Sequence, residues 1–123
     1  MTTVLIIEDN EDNLSLMTQL LQVAGYKVAA AETGEAGYEK AVKTMPDFIL
    51  LDIQLPDIDG TEVLQRLRAN DLTSSIPVIA VTSYAMVGDR ERLLSSGCNG
   101  YIEKPVDPEL VIKQIQNIIK RVS

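Results

Sequence analysis

Short apolar runs alternate with amphipathic stretches along this chain, and the runs end in polar residues. The first, third and fourth runs are nearly continuous, which is typical of strands that are buried on both faces. The second run is weaker, which favours a place nearer the sheet edge, and the fifth run is short. The predicted strands are Val4–Ile7, Lys27–Ala31, Asp47–Asp52, Ile76–Thr82 and Gly100–Glu103.

After each strand, apolar residues recur at the three- and four-residue spacing of an amphipathic helix. Capping residues predict where these helices begin, and glycine or proline predicts where they stop. The predicted starts are Asn10 or Glu11, Thr33, Asp59–Glu62, a point after Thr82, and Asp107 or Pro108; the predicted stops include Gly25, Pro46 and Gly97. The apolar helix positions are Leu14, Met17, Leu20, Leu21, Ala24, Ala36, Ala41, Val63, Leu64, Leu67, Leu93, Leu94, Leu110, Val111, Ile115, Ile118, Ile119 and Val122.

Strands and helices thus alternate five times. Connections of this kind predict an α/β fold with a parallel sheet and helices on both of its faces. The 123 residues, 46% of them hydrophobic, suit one domain with one core, and we expect residues 1–123 to form a single domain.

Charge and residue inventory exclude several classes of function. Lysine and arginine total 11 against 18 aspartates and glutamates, and a net charge of −7 argues against direct binding to nucleic acid. One cysteine, Cys98, and no histidine exclude a Cys–His nucleophile and a Cys/His zinc site. No apolar run approaches the ~20 residues that span a membrane, and the start of the chain lacks the basic segment of a signal peptide, so we expect a cytoplasmic protein without membrane insertion.

The polar residues that end the strands form a candidate site. The first strand leads to Glu8 and Asp9, the third ends at Asp52, the fourth at Thr82, and the fifth leads to Lys104. These ends open on the same edge of a parallel sheet, so the five side chains should converge. Clustered carboxylates suit a hard cation, of which Mg²⁺ fits best and Mn²⁺ is the alternative. A metal, an ammonium and a hydroxyl around one carboxylate predict a phosphoryl site, in which the carboxylate is the nucleophile.

Four motifs carry this chemistry, at Ile7–Asn10, Leu51–Pro56 with Asp59-Gly60, Val81–Tyr84 and Tyr101–Pro105. Together they resemble a response-regulator receiver domain of two-component signalling, similar to the single-domain chemotaxis regulator, and the resemblance covers the whole chain. Two of the motifs are also similar to those of DivK-type single-domain regulators and of receivers in hybrid kinases. The resemblance implies a doubly wound, flavodoxin-like (βα)5 fold with a five-stranded parallel sheet of order 2-1-3-4-5.

The resemblance also implies the roles of the site residues. Asp52 would accept the phosphoryl group, and Glu8, Asp9 and Asp52 would bind Mg²⁺ together with the backbone carbonyl of Gln54. Lys104 would bind a phosphoryl oxygen, and its peptide bond to the following proline is expected to be cis. A protein with these roles accepts a phosphoryl group without being a multiple-turnover enzyme on another substrate.

Two further residues would form a switch. Thr82 would move toward the phosphoryl group, and Tyr101 would turn inward into the space that it leaves. The face made by the fourth helix, the fifth strand and the fifth helix would then report the change to a downstream protein. Gln54 and Tyr84 would flank the phosphoryl group, and since neither is an acid we expect that group to last for minutes or longer.

The implied phosphodonor is a sensor histidine kinase or a histidine phosphotransfer protein, and a monomer or weak dimer is expected. Three alternatives stand beside this interpretation. An aspartyl phosphatase of the haloacid-dehalogenase type would have a second Asp where Gln54 stands, and a flavodoxin-like flavin carrier would have a Gly/Ser/Thr-rich loop in place of the acidic 8–12 segment. The third is a pseudo-receiver, which binds partners without being phosphorylated.

Overall fold

The computed structural model describes residues 2–83 and 87–122, apart from the side chains of 87–90. Five strands and five helices alternate along the chain. Their bounds are β1 Thr3–Ile7, α1 Glu11–Val23, β2 Lys27–Ala31, α2 Gly34–Thr44, β3 Phe48–Asp52, α3 Gly60–Ala69, β4 Val78–Thr82, α4 Val87–Ser95, β5 Gly100–Glu103 and α5 Val111–Val122. No helix in the described part of the chain combines the length and the apolar character that crossing a membrane requires.

The strands form one parallel sheet of order β2-β1-β3-β4-β5, which confirms the predicted order and places the weak strand β2 at an edge. Successive side chains of a strand point to opposite faces. Leu5 and Ile7 of β1 therefore join a core with α2, α3 and α4, whereas Val4 and Ile6 join a second core with α1 and α5. The helices thus cover both faces, as predicted.

Two predicted element starts were wrong, that of β4 by two residues and that of α5 by three or four. The strand β4 begins at Val78 rather than Ile76, because Ile76 donates its amide to Thr73 in a turn and Pro77 has no amide hydrogen to donate. The helix α5 begins at Val111 rather than Asp107 or Pro108, since the chain first makes a turn in which the Asp107 carboxylate accepts the amide of Glu109 at 2.9 Å.

Burial of the helices also differs from the predicted pattern in places. Ala36 is exposed, and the buried residues of α2 are Gly34, Gly37 and Ala41. A Cβ atom on Gly37 would lie 2.5 Å from Cδ1 of Ile7, so glycine allows α2 to approach β1 closely. The other exposed positions among those predicted to be apolar helix positions are Ala24, Leu94, Leu110 and Val122.

Arg68, on α3, links the two segments that lead into β4 and β5. Its guanidinium donates to the backbone carbonyls of Gly97, Thr73, Ser74 and Ile76 and to Oδ1 of Asn99. The same Asn99 oxygen accepts the amide of Val78 at 2.8 Å. Burial lowers the pKa of the Arg68 guanidinium from its ordinary value. These hydrogen bonds hold the starts of β4 and β5 in place, and the other ends of the same two strands lead to the candidate site.

Replacing Arg68 by alanine is expected to lower the free energy of unfolding by about 2 kcal/mol or more, because several carbonyl oxygens lose a charged donor. Arg66→Ala is the matched control on the same helix, since the Arg66 guanidinium is half exposed and pairs with Glu35 and Glu62 at the surface. Urea denaturation of both variants measures the difference. Equal losses of stability would contradict the structural role assigned to Arg68.

Candidate functional site

The strand ends bring the predicted site residues together at one edge of the sheet. Glu8 and Asp52 are buried, with 5% and 3% of their surfaces exposed, and Thr82 is fully buried. Asp9 is exposed, and Lys104 is partly buried. The register explains the convergence, since β1 and β4 flank β3 and β5 is the neighbour of β4.

Lys104 forms a bridge between the two buried carboxylates. Its Nζ lies 2.8 Å from Oε1 of Glu8 and 3.1 Å from Oδ2 of Asp52. The backbone holds this lysine in place as well, because its amide donates to the carbonyl of Thr82 at 2.9 Å. The peptide bond to Pro105 is cis, as expected.

The β3–α3 loop, residues 53–59, begins directly at Asp52. Oδ1 of Asp52 accepts the amide of Gln54 at 3.0 Å, and the amide of Gly60 donates to the carbonyl of Ile53 at 2.9 Å. A Cβ on Gly60 would lie 2.6 Å from Cα of Ile53 and 2.7 Å from the carbonyl oxygen of Asp52. Glycine at the start of α3 therefore lets this helix pack directly against the backbone of the candidate nucleophile.

Three carboxylates are close enough to bind one cation. Glu8, Asp9 and Asp52 each offer an oxygen, and these atoms lie within 4.8 Å of one another. Two of them are largely removed from water and already share one ammonium, so their negative charge is only partly balanced. A hard divalent cation that prefers oxygen ligands fits this donor set.

Burial and crowding change the acid–base properties of the site. The pKa of Glu8 is raised from 4.5 to about 7, first by burial and then by the hydrogen bond and charge of Asp52. For Lys104, burial acts to lower the pKa, but Glu8 and Asp52 outweigh it and the pKa is raised. The lysine is therefore charged at neutral pH, whereas Glu8 titrates near neutrality.

The two predicted switch residues lie on neighbouring strands. Thr82 ends β4, and its register partner on β5 is Glu103. Tyr101 is partly buried and packs on the core that β1 shares with α2, α3 and α4. The structure thus gives the positions of both residues in one state and leaves their movement untested. Tyr84, predicted to flank the phosphoryl group, lies outside the described residues.

Sequence reasoning missed the surroundings of the site. A crevice of about 280 Å³ lies beside Glu8 and Lys104 and is lined by Asn13, Met17, Val81, Ser83, Pro105 and Val106. A second crevice, of about 420 Å³, is lined by Asp9 and by residues 53–59 of the β3–α3 loop. The available signal was that Asn13 and Met17 lie on α1, which begins three residues after Glu8. From the sequence, Met17 was considered only as a core residue.

The chain matches known proteins over nearly its whole length. The family model described as the response regulator receiver domain matches residues 4–116. The polar-differentiation response regulator DivK of Brucella anthropi is 41% identical over 117 residues, which are 95% of each chain. The predicted resemblance to receiver domains, and to DivK-type regulators among them, is confirmed.

Solved structures agree with the fold. A CheY-like receiver domain protein from Methanospirillum hungatei is 31% identical with a TM-score of 0.89, over 99% of this chain and 96% of that one. The receiver domain of the sensor histidine kinase PA1611 from Pseudomonas aeruginosa is 32% identical with a TM-score of 0.87, over 97% and 98% of the two chains. That structure has a magnesium ion coordinated in the active site cleft.

The raised pKa of Glu8 predicts how stability depends on pH in metal-free protein. Between pH 4.5 and about 7 the folded state keeps a proton that the unfolded state releases. The proton on Glu8 therefore stabilises the folded state in full below pH 4.5. This stabilisation decreases as the pH rises from 4.5 through about 7, and the free energy of unfolding falls by up to ~3 kcal/mol. Urea denaturation in EDTA at several pH values measures it.

Glu8→Gln is the control, because glutamine has the same shape and does not titrate. The difference in unfolding free energy between the native protein and this variant should change across pH 4.5–7, whereas parallel curves would contradict the shift. Because a metal binds the ionised carboxylate, stabilisation by added Mg²⁺ should increase over the same range.

Proposed function

The chain belongs to the response regulator receiver domain family of two-component signalling, and we propose that it signals by accepting a phosphoryl group on Asp52. The observation that carries this proposal is the partly buried ammonium of Lys104, which lies 3.1 Å from Asp52 and 2.8 Å from Glu8. Receiver domains are signalling modules rather than multiple-turnover enzymes. The acidic cluster of Glu8, Asp9 and Asp52 fits a phosphorylation site.

In the proposed step, a carboxylate oxygen of Asp52 attacks the phosphorus of a phosphohistidine. The new O–P bond forms as the N–P bond breaks, and the imidazole of the donor leaves with the bonding electron pair and takes up a proton. Lys104 would then exchange its contact with Asp52 for one with a phosphoryl oxygen and so balance the charge in the transition state. The donor is a sensor histidine kinase or a histidine phosphotransfer protein.

Glu8, Asp9, Asp52 and the backbone carbonyl of Gln54 would hold Mg²⁺, with Mn²⁺ as the alternative. The close approach of three carboxylates and the magnesium in the cleft of the PA1611 receiver domain support this assignment. When bound, the ion supplies positive charge that neutralises phosphoryl oxygens. The chain's own contribution is the rigid placement of these oxygens at the ends of two adjacent strands.

Phosphorylation would be read out through Thr82 and Tyr101. The hydroxyl of Thr82 would move to the phosphoryl group, and Tyr101 would turn inward, which changes the surface of α4, β5 and α5. A downstream protein would bind that surface, without direct contact to nucleic acid. We further propose that residues 1–123 act as a single domain in the cytoplasm, as a monomer or weak dimer.

Acetyl phosphate with Mg²⁺ is expected to add one phosphoryl group to the protein, measured by intact mass. Asp52→Asn should abolish the addition, because the amide is a poor nucleophile, and EDTA should suppress it. Glu103→Gln, an exposed carboxylate at the end of β5, is the matched control and should leave the addition intact. No addition to the native protein would contradict the proposal and favour a pseudo-receiver.

The phosphoryl group should persist for minutes or longer after the donor is removed. Gln54 follows Asp52 by two residues and cannot act as a base toward an attacking water molecule, as an acid at this position could. Following the decay of the mass shift over time measures the lifetime. Gln54→Glu should shorten it, and loss within seconds from the native protein would contradict the prediction.

A further inference from the structure

Asp57 joins the middle of the β3–α3 loop to the helix α2. Its Oδ1 accepts the amide of Gly34 at 2.8 Å, and its Oδ2 accepts the amide of Glu35 at 2.9 Å. These are the first two residues of α2, and Gly34 is 23 positions away in the sequence. Both oxygens of one carboxylate are thus used to hold two separate elements together.

This contact completes the start of α2. The next two amides, of Ala36 and Gly37, donate to the side chain and to the carbonyl of Thr33. The bond from Gly37 is the first regular hydrogen bond of the helix, so the amides of Gly34, Glu35 and Ala36 are the ones that need other acceptors, and each has a side-chain acceptor. The hydrogen bonds from the amides of Glu35 and then Gly34 lower the pKa of Asp57, so its carboxylate is ionised at neutral pH. A negative charge at this place also interacts favourably with the dipole of the helix.

Packing reinforces the contact. A Cβ on Gly34 would lie 2.5 Å from Cγ1 of Ile58, so the loop and the helix touch with no room for a side chain between them. The loop is also fixed at its two ends, by the amide of Gln54 on Asp52 and by the amide of Gly60 on Ile53. Asp57 holds the part between those ends, which runs from the carbonyl of Gln54 onward and includes the exposed Pro56.

The position of this segment matters to the site. Asp57 and Gln54 line, with Asp9, the crevice of about 420 Å³ next to the acidic cluster. A backbone carbonyl has no side-chain torsion with which to adjust its position, so its place depends on how the loop is held. A shift of the loop would therefore move the Gln54 carbonyl relative to the carboxylates.

We propose that Asp57 is a positioning residue of the metal site, which places the Gln54 carbonyl by holding the β3–α3 loop against α2. This inference rests on the proposed function, because it takes that carbonyl as a metal ligand. Asp57 lies outside the group of three carboxylates that could bind one cation, and its two oxygens accept amides of α2.

Calorimetric titration with Mg²⁺ alone tests the proposal. Asp57→Ala should raise the Kd for Mg²⁺ by about tenfold, the lower end of what loss of an outer partner costs a metal site. Thr33→Ala is the matched control, because it removes a cap from the same helix start without touching the loop. It should change the Kd by less than about twofold while lowering stability comparably in urea denaturation.

Asp57→Asn separates position from charge. Asparagine keeps one acceptor and should raise the Kd by only about threefold. If Asp57→Asn and Asp57→Ala raise the Kd for Mg²⁺ equally, only the charge of Asp57 matters and the proposal is overturned. An unchanged Kd in both variants would also overturn it. If Asp57→Ala does not fold, the comparison of Asp57→Asn with Thr33→Ala decides.

Phosphorylation by acetyl phosphate distinguishes failure of the proposed function from failure of the positioning role of Asp57. If the native protein takes up no phosphoryl group on Asp52, the proposed function fails. If it does, Asp57→Ala should be slow at limiting Mg²⁺ and close to the native rate at saturating Mg²⁺. A defect that saturating Mg²⁺ does not restore would overturn a role in metal positioning.

Discussion

The structure depends on one buried ionic contact, in which the Lys104 ammonium balances two carboxylates from different strands. An unpaired buried charge is strongly destabilising, and this ammonium supplies the positive charge that both buried carboxylates contact. One cation between two anions also leaves the group with a net negative charge. Burial first, and then the hydrogen bond and charge of Asp52, raise the pKa of Glu8, and the excess of carboxylates over ammonium groups suits a divalent cation.

The sheet makes this contact possible by bringing distant residues into register. Each of β1, β3 and β4 is buried along nearly its whole length, so the strands cannot slide without exposing apolar side chains. The carboxylates consequently lie at fixed heights along the sheet edge. The close packing of Gly60 on the backbone of Asp52 and Ile53 adds a second constraint, which keeps the loop after Asp52 against α3.

The sequence predicted the sheet and the convergence of residues at the strand ends, and the reasons are physical. Buried parallel strands give continuous apolar runs, and strand ends of a parallel sheet must meet, so Glu8, Asp52, Thr82 and Lys104 could be grouped without coordinates. Positions that depend on a single tertiary contact could not be predicted. Ala36 has the spacing of a buried residue, yet it is exposed, whereas Gly37 is buried because α2 comes too close to Ile7 of β1 for a side chain.

Long-range contacts of polar side chains were missed for a related reason. Asp57 occurs in a turn-rich segment where an aspartate is ordinary, and nothing local indicates that it accepts amides from α2. In the same way, the residues around Arg68 show no charge pattern, because the partners described for it are four carbonyl oxygens and one side-chain amide oxygen.

Because these partners are uncharged, the starts of the strands near Arg68 and the opposite ends near Glu8 should differ in their sensitivity to pH and salt. Uncharged oxygens neither take up protons at physiological pH nor attract counterions strongly, so the support of β4 and β5 at the Arg68 edge should be indifferent to acidity and ionic strength. The opposite edge contains titratable groups and responds to both. A change of pH near neutrality should therefore alter the charge at the edge that contains Glu8, while the strand starts held by Arg68 keep their positions.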